Sequence, residues 1–138
     1  MAFSFRKNLG AWGERLACAE YLQKGYVLVA HNIYNNRGKQ MGEIDLIVRS
    51  ELELIFVEVK TRSSHKFGTG ADAITKAKQR KLIKITNWFQ RKYPYYKQLR
   101  PRIDVCVIET PPYFKPSSNL DKSAVNVIII PDAVTLDY

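Results

Sequence analysis

Apolar residues recur at helical spacing early in the chain. Leu9, Trp12, Leu16, Ala19 and Leu22 fall three or four apart and predict a helix over about residues 8–24. Asn8 can cap its start, and Gly25 is a natural stop after its last turn. The pattern then changes to short β-branched and aromatic runs, at residues 26–33 (YVLVAHNI), 43–49 (EIDLIVR) and 53–61 (ELIFVEVKT). A polar loop at 35–39 separates the first two. Ser50, Glu51 and Leu52 turn the chain so that the second and third pair as an antiparallel hairpin. Residues 63–70 read as a loop. Asp72 then caps a helix that carries Leu82, Ile85, Trp88 and Phe89 to about Lys92, where Pro94 ends it. Residues 102–109 and 125–130 are two further strands around an exposed 111–123 loop. Pro131 closes the last strand and leaves 131–138 as a tail. The order α-β-β-β-α-β-β predicts a single α/β domain over 1–138, with its core at about 8–130. A mixed central β-sheet is flanked by helices.

Three charges break the strand pattern. Asp45 sits in the middle of EIDLIV, and Glu58 and Lys60 sit inside FVEVK. Side chains alternate across a sheet, so Glu58 and Lys60 share one face and Val57 and Val59 the other. A regular hairpin register brings Asp45 beside them. Two adjacent carboxylates on an apolar sheet repel and are costly to desolvate. A divalent cation relieves that conflict, and oxygen ligands with room for water suit Mg²⁺ or Mn²⁺. Lys60 lowers the cost further and can position or deprotonate a water. The alternative is a buried acid–lysine ion pair, which adds little net stability. Glu43 shares Asp45's strand parity but reads as an exposed strand-end charge. Asp104 reads as a structural hydrogen-bond acceptor. Glu14 lies nearly opposite the Trp12–Leu16–Ala19 stripe, facing either the site or water.

Asp45, twelve intervening residues and then Glu58-Val59-Lys60 resemble the PD-(D/E)xK nuclease superfamily. GEIDLI (42–47) followed by FVEVKTR (56–62), with Gly10, Gly13 and Glu14 in the first helix, Gly25-Tyr26, the 76–80 stretch and 102–105, resembles the bacterial YraN-like proteins more closely. Those are small predicted endonucleases related in fold to archaeal Holliday-junction resolvases, and the resemblance covers about residues 9–108. It implies a restriction-endonuclease-like fold and a divalent-metal-dependent endonuclease acting on DNA rather than RNA, with branched or junction DNA as a candidate substrate. It implies that Asp45 and Glu58 bind Mg²⁺ or Mn²⁺ with the Val59 carbonyl, that Lys60 is the catalytic lysine, and that Glu14 completes the site directly or through water. It places Lys76 and Gln79 near the scissile phosphate, with Thr61 and Arg62 as further candidates. Ile44 stands where the superfamily's name has proline. Junction cutting takes two active sites, hence a two-fold homodimer, although no feature of the sequence demonstrates one.

Charge strengthens the nucleic-acid reading. The chain carries 22 Lys and Arg against 13 acids, a net charge of +9, and such a surplus attracts polyanions. Residues 73–103 hold no acid but ten cations, among them Lys76, Lys78, Arg80 and Lys84. These suit phosphate contacts that give affinity without reading sequence. Trp88 and Phe89 read as helix core, whereas Tyr95 and Tyr96 after Pro94 are better placed to stack on unpaired bases. His31 and His65 read as loop or surface residues. Cys18 and Cys106 lie in apolar segments and have no zinc spacing. They read as buried free thiols, compatible with a cytoplasmic setting. No apolar run reaches membrane-spanning length, and no secretory signal is expected. Walker, GxGxxG and GxSxG motifs are absent. Two rival readings remain. One is a nucleic-acid-binding module with this fold and little or no catalytic activity. The other is a basic protein-interaction scaffold.

Overall fold

The alternating strands and amphipathic helices assemble in the expected order. The computed structural model describes residues 5–34, 42–63, 74–116, 120 and 122–136, with side chains from residue 9. Helix α1 (Phe5–Gln23) leads into β1 (Val27–Tyr34), β2 (Glu43–Arg49) and β3 (Glu53–Ser63). Helix α2 (Lys76–Lys92) and a single 3-10 turn (Pro94–Tyr96) then lead into β4 (Arg100–Thr110) and β5 (Asn126–Val134). The five strands lie in one sheet in chain order. All neighbours are antiparallel except β3 and β4, which are parallel because α2 carries the chain back between them. The architecture is a mixed α/β fold consistent with the restriction-endonuclease-like class.

Two cores sandwich the sheet. Trp12, Leu16, Ala17 and Tyr21 of α1 cover Leu46, Val48, Ile55, Val57, Cys106 and Ile108. Leu82, Ile85 and Phe89 of α2 cover Ile47, Leu54, Phe56, Ile103, Val105 and Val107 on the other face. β3 and β4 are therefore buried on both sides, which explains their near-continuous apolar runs. Each such side chain contributes about 1.5–3 kcal/mol of burial. Between Ile44 and Leu46 the alternation slips by one, since Ile44 joins the α2-side core and Leu46 the α1-side core. The slip falls at Asp45.

Local signals explain most boundaries and correct four expectations. Gly25 ends α1 with φ 97; its N–H donates to the Leu22 carbonyl, and that of Tyr26 to the Tyr21 carbonyl. This is a Schellman stop that a Cβ would strain. The start of α1 lies earlier than expected, at Phe5. Asn8 is thus inside the helix rather than its cap, and no Gly or Pro precedes it to oppose helix. The buried face of α1 uses Ala17 and Tyr21, while Leu22 is exposed. Glu14, seven residues before Tyr21, therefore flanks that face instead of opposing it. Helix α2 is capped by Thr75, whose hydroxyl accepts from the Lys78 N–H, and not by Asp72, which lies outside the described residues. Strand β5 runs through Pro131, which a free sheet edge tolerates. The β4–β5 register shifts there, and Asp132, at φ 52, donates its N–H to Asp104 Oδ1 at 3.0 Å. Of the expected 131–138 tail, only 135–136 are described outside a strand.

Candidate active site

The β2–β3 ladder ends at the pair Leu46–Val57. One step further, the same register would set Asp45 against Glu58. There the Asp45 carboxylate replaces the backbone partner, and its Oδ2 accepts the Val59 N–H at 2.8 Å. The N–H and C=O of one residue in an extended strand point to the same side. The Val59 carbonyl therefore also opens toward Asp45. The slip in β2 is what frees the Asp45 side chain for this bond.

Asp45, Glu58, Val59, Lys60 and Thr61 line a cavity of about 470 Å³, closed from the α1 side by Gly10 and Glu14 and bordered by Glu43. Glu58 is 7% exposed. Its Oε1 lies 3.4 Å from Lys78 Nζ on α2. Its Oε2 is buried and has no hydrogen-bond partner among the described residues. Burial first, and then the Asp45 carboxylate, push Glu58 up to about 7, against the pull of Lys78 and Lys60. Asp45 is also raised, mainly by burial, with the Val59 N–H opposing. Glu14 is raised by burial and by Asp45 and Glu43, against a hydrogen bond from the Asn32 side chain. The acids thus crowd one another, and burial with mutual repulsion disfavours the charged form of each.

The chemistry of this donor set fits a hard divalent cation. It supplies two carboxylates, one with an orphaned oxygen, and a backbone carbonyl beside an open cavity. Among the described residues no three His, Cys, Asp or Glu side chains are gathered closely enough to hold a metal ion. Glu14 borders the cavity without forming such a group with Asp45 and Glu58.

The outer residues fall into two groups. Lys60 is exposed at the cavity, and Lys76, Arg80 and Lys84 are exposed along α2. Lys78 is bound to Glu58 rather than presented outward. Gln79 donates from its side chain to the Ile74 carbonyl at 3.2 Å and so ties down the entry to α2. Arg62 is paired with Glu109 at 3.1 Å across the parallel β3–β4 register, and is largely buried there. This corrects its expected placement on the phosphate-facing surface. Thr61 faces α1: a Cβ on Gly13 would meet its Oγ1 at 2.2 Å, so only glycine lets the helix pack this close. Phe89 is core, as expected, whereas Trp88 is only partly buried at the margin of that core. His31 is exposed on β1, and His65 and Asp72 lie outside the described residues.

Asp104 is structural. It is fully buried and accepts from Tyr21 Oη at 2.8 Å, from Arg102 Nε at 2.9 Å and from the Asp132 N–H. Sequence reasoning did not find Asn32 beside Glu14, nor Lys78 as the partner of Glu58. A lysine one helical turn into α2 carries no local mark of a strand partner twenty residues away. The polar Asn32, next to His31 in a strand of otherwise apolar and aromatic residues, was a signal for the former. Both cysteines are free. Cys106 is buried, and burial pushes its thiol up to about 12, whereas Cys18 is only partly covered. No helix among the described residues is long and apolar enough to cross a membrane.

Residues 13–108, which hold Glu14, Asp45, Glu58, Val59, Lys60 and Lys78, match the model of a family described as "Uncharacterised protein family UPF0102". A UPF0102 protein of Acinetobacter baumannii (strain AYE) is 35% identical over 133 residues, covering 95% of this chain and 97% of that protein. One from Caldanaerobacter subterraneus subsp. tengcongensis is 36% identical over 100 residues, 72% of this chain and 78% of the relative. One from Syntrophotalea carbinolica is 34% identical over 105 residues, 75% and 80% of the two chains. With the match spanning the acids and lysines of the site and most of the fold, the chain belongs to the UPF0102 family.

Proposed function

We propose that this protein is a divalent-metal-dependent endonuclease that hydrolyses phosphodiester bonds in DNA, as the resemblance to the YraN-like PD-(D/E)xK nucleases implies. The observation that carries the reading is the buried Glu58 Oε2, without a hydrogen-bond partner among the described residues, beside Asp45 at a cavity that Lys60 also lines. A buried acid with an idle oxygen next to a second acid is a poor structural element. It is a good ligand set.

In this reading Asp45, Glu58 and the Val59 carbonyl hold Mg²⁺ or Mn²⁺, and Glu14 reaches it through water. The bound cation would supply Lewis-acid polarisation of a phosphoryl oxygen and a lowered pKa for the attacking water. The Val59 N–H fixes the Asp45 carboxylate, so the second oxygen of that acid stays directed at the cavity. Lys60 orients the attacking water and offsets the charge that develops on the phosphoryl group. Lys78 keeps Glu58 from carrying an unbalanced buried charge. The exposed cations of α2 hold the phosphate backbone. Hydrolysis then adds one water across the bond and leaves a phosphomonoester and a hydroxyl.

One observation favours the second reading, a nucleic-acid-binding module of this fold with little or no catalytic activity. Lys78 already partners Glu58, which is the ion-pair solution to a buried acid. Nicking of supercoiled plasmid and of branched DNA in Mg²⁺ or Mn²⁺ separates the two. The nuclease reading expects metal-dependent cleavage that Lys60→Ala abolishes while binding is retained. Salt-sensitive binding with no cleavage on any DNA would support the second reading instead.

A further inference from the structure

Beyond the cations assigned to the phosphate backbone, the exposed side of α2 leads to an aromatic surface that the hydrolytic reading does not use. Lys76, Arg80 and Lys84 are exposed and follow one another at four-residue spacing, so they lie along one line of the helix. That line continues through half-buried Trp88 to exposed Lys92, whose Nζ stands 5.0 Å from the Trp88 ring centroid and 5.8 Å from that of Tyr93. Just past the helix, Tyr95 is 81% exposed. Its ring stands edge-on to Tyr96 at 5.0 Å, and Tyr96 in turn stacks on the core residue Phe89 at 6.0 Å. Tyr95 is thus an outward-facing ring on an anchored base.

A ring this exposed contributes little to the core, and the stretch of chain that carries it, residues 73 to 103, holds ten cations and no acid. Charge complementarity selects a polyanion. The bare aromatic face selects one with accessible rings of its own, which a duplex does not offer because its bases are stacked inside. We propose that this end of α2 binds an unpaired DNA strand, stacking a base on Tyr95 while the cationic line carries the strand's phosphates toward the active site. The inference rests on the nuclease reading for the identity of the polymer. Helix α2 is about 24 Å long at 1.5 Å per residue. At the duplex rise of about 3.4 Å per nucleotide the line would take about seven nucleotides, and an unpaired strand, which extends further per nucleotide, spans it with no more than that. The substrate it fits is a duplex or junction with a single-stranded extension of up to about that length.

The test is fluorescence anisotropy in EDTA, with a labelled duplex bearing a tail of about ten nucleotides, long enough to span the line, and a blunt duplex of equal paired length. Wild type should bind the tailed DNA about tenfold tighter, in the range that stacking one base gives. Tyr95→Ala should remove that advantage and leave blunt binding unchanged, while Tyr95→Phe, which keeps the ring, should retain it. Lys84→Ala should weaken both and lower the salt dependence by about one phosphate contact. Equal affinity of the wild type for the two DNAs, or an unchanged tail advantage in Tyr95→Ala, would overturn the proposal. Because no cleavage occurs in EDTA, that failure leaves the hydrolytic reading standing. Intact tail preference without cleavage in metal would sink only the latter.

Discussion

Glu58→Gln should make the metal-free protein more stable at alkaline pH. The native state holds the Glu58 proton up to about 7, while the unfolded chain releases it near 4.5. Between those values the native state binds more protons than the unfolded state, so the contribution of Glu58 to stability falls as pH rises through that window. At about 1.4 kcal/mol per pH unit, the gap is worth about 3 kcal/mol once pH passes 7. Glu58 is deeply buried, so solvent screening discounts this little, and the help from Lys78 is already contained in it. Glutamine keeps the shape of the protonated acid and never charges. Urea unfolding followed by circular dichroism, in EDTA at pH 5 to 8, compares the two proteins with every other titrating group in common. The variant should exceed wild type by about 3 kcal/mol at pH 8 and by less than about 1 kcal/mol at pH 5. Mg²⁺ at about a hundred times its Kd should return about 2.7 kcal/mol to wild type alone and close most of the gap. A wild type as stable as Glu58→Gln at pH 8 in EDTA, or a difference that ignores pH, would refute the reasoning.

Other sites give independent tests. Gly13→Ala should cost about 1–3 kcal/mol in urea unfolding, because its Cβ meets Thr61 Oγ1, and Thr61→Ala should recover much of that loss in the double variant. Arg102→Met should cost about 3–5 kcal/mol by leaving the Asp104 charge buried without its guanidinium, a loss read as a lowered urea midpoint. Thiol titration of the native protein at pH 8 should modify Cys18 and spare Cys106 until denaturant is added.

Much of this was legible in the sequence because isolated charges in apolar strands violate a strong pattern. Asp45, Glu58 and Lys60 stood out that way, and the short Ser50–Leu52 turn fixed the hairpin that brings the first two together. The structural role of Asp104 followed from the same logic. What the pattern did not carry was anything set by non-local register. The pairing of Arg62 with Glu109 requires the parallel β3–β4 alignment, which α2 imposes from outside both strands. The slip at Asp45 and the capture of the Val59 N–H depend on where the ladder ends. Pro131 looked like a terminator, yet an edge strand with a register shift accommodates it, and edge position is a property of the whole sheet. Thr75 displaced Asp72 as the cap of α2 because the start of an amphipathic helix is weakly marked where alanines precede it.

The most direct test of the central claim is calorimetric titration of Mn²⁺ into wild type and Asp45→Asn at pH 8. Asparagine keeps an oxygen for the Val59 N–H and removes only the charge. The two-carboxylate site predicts one saturable binding event in wild type that Asp45→Asn loses. No binding to wild type at millimolar metal, or the same isotherm in both proteins, would contradict it.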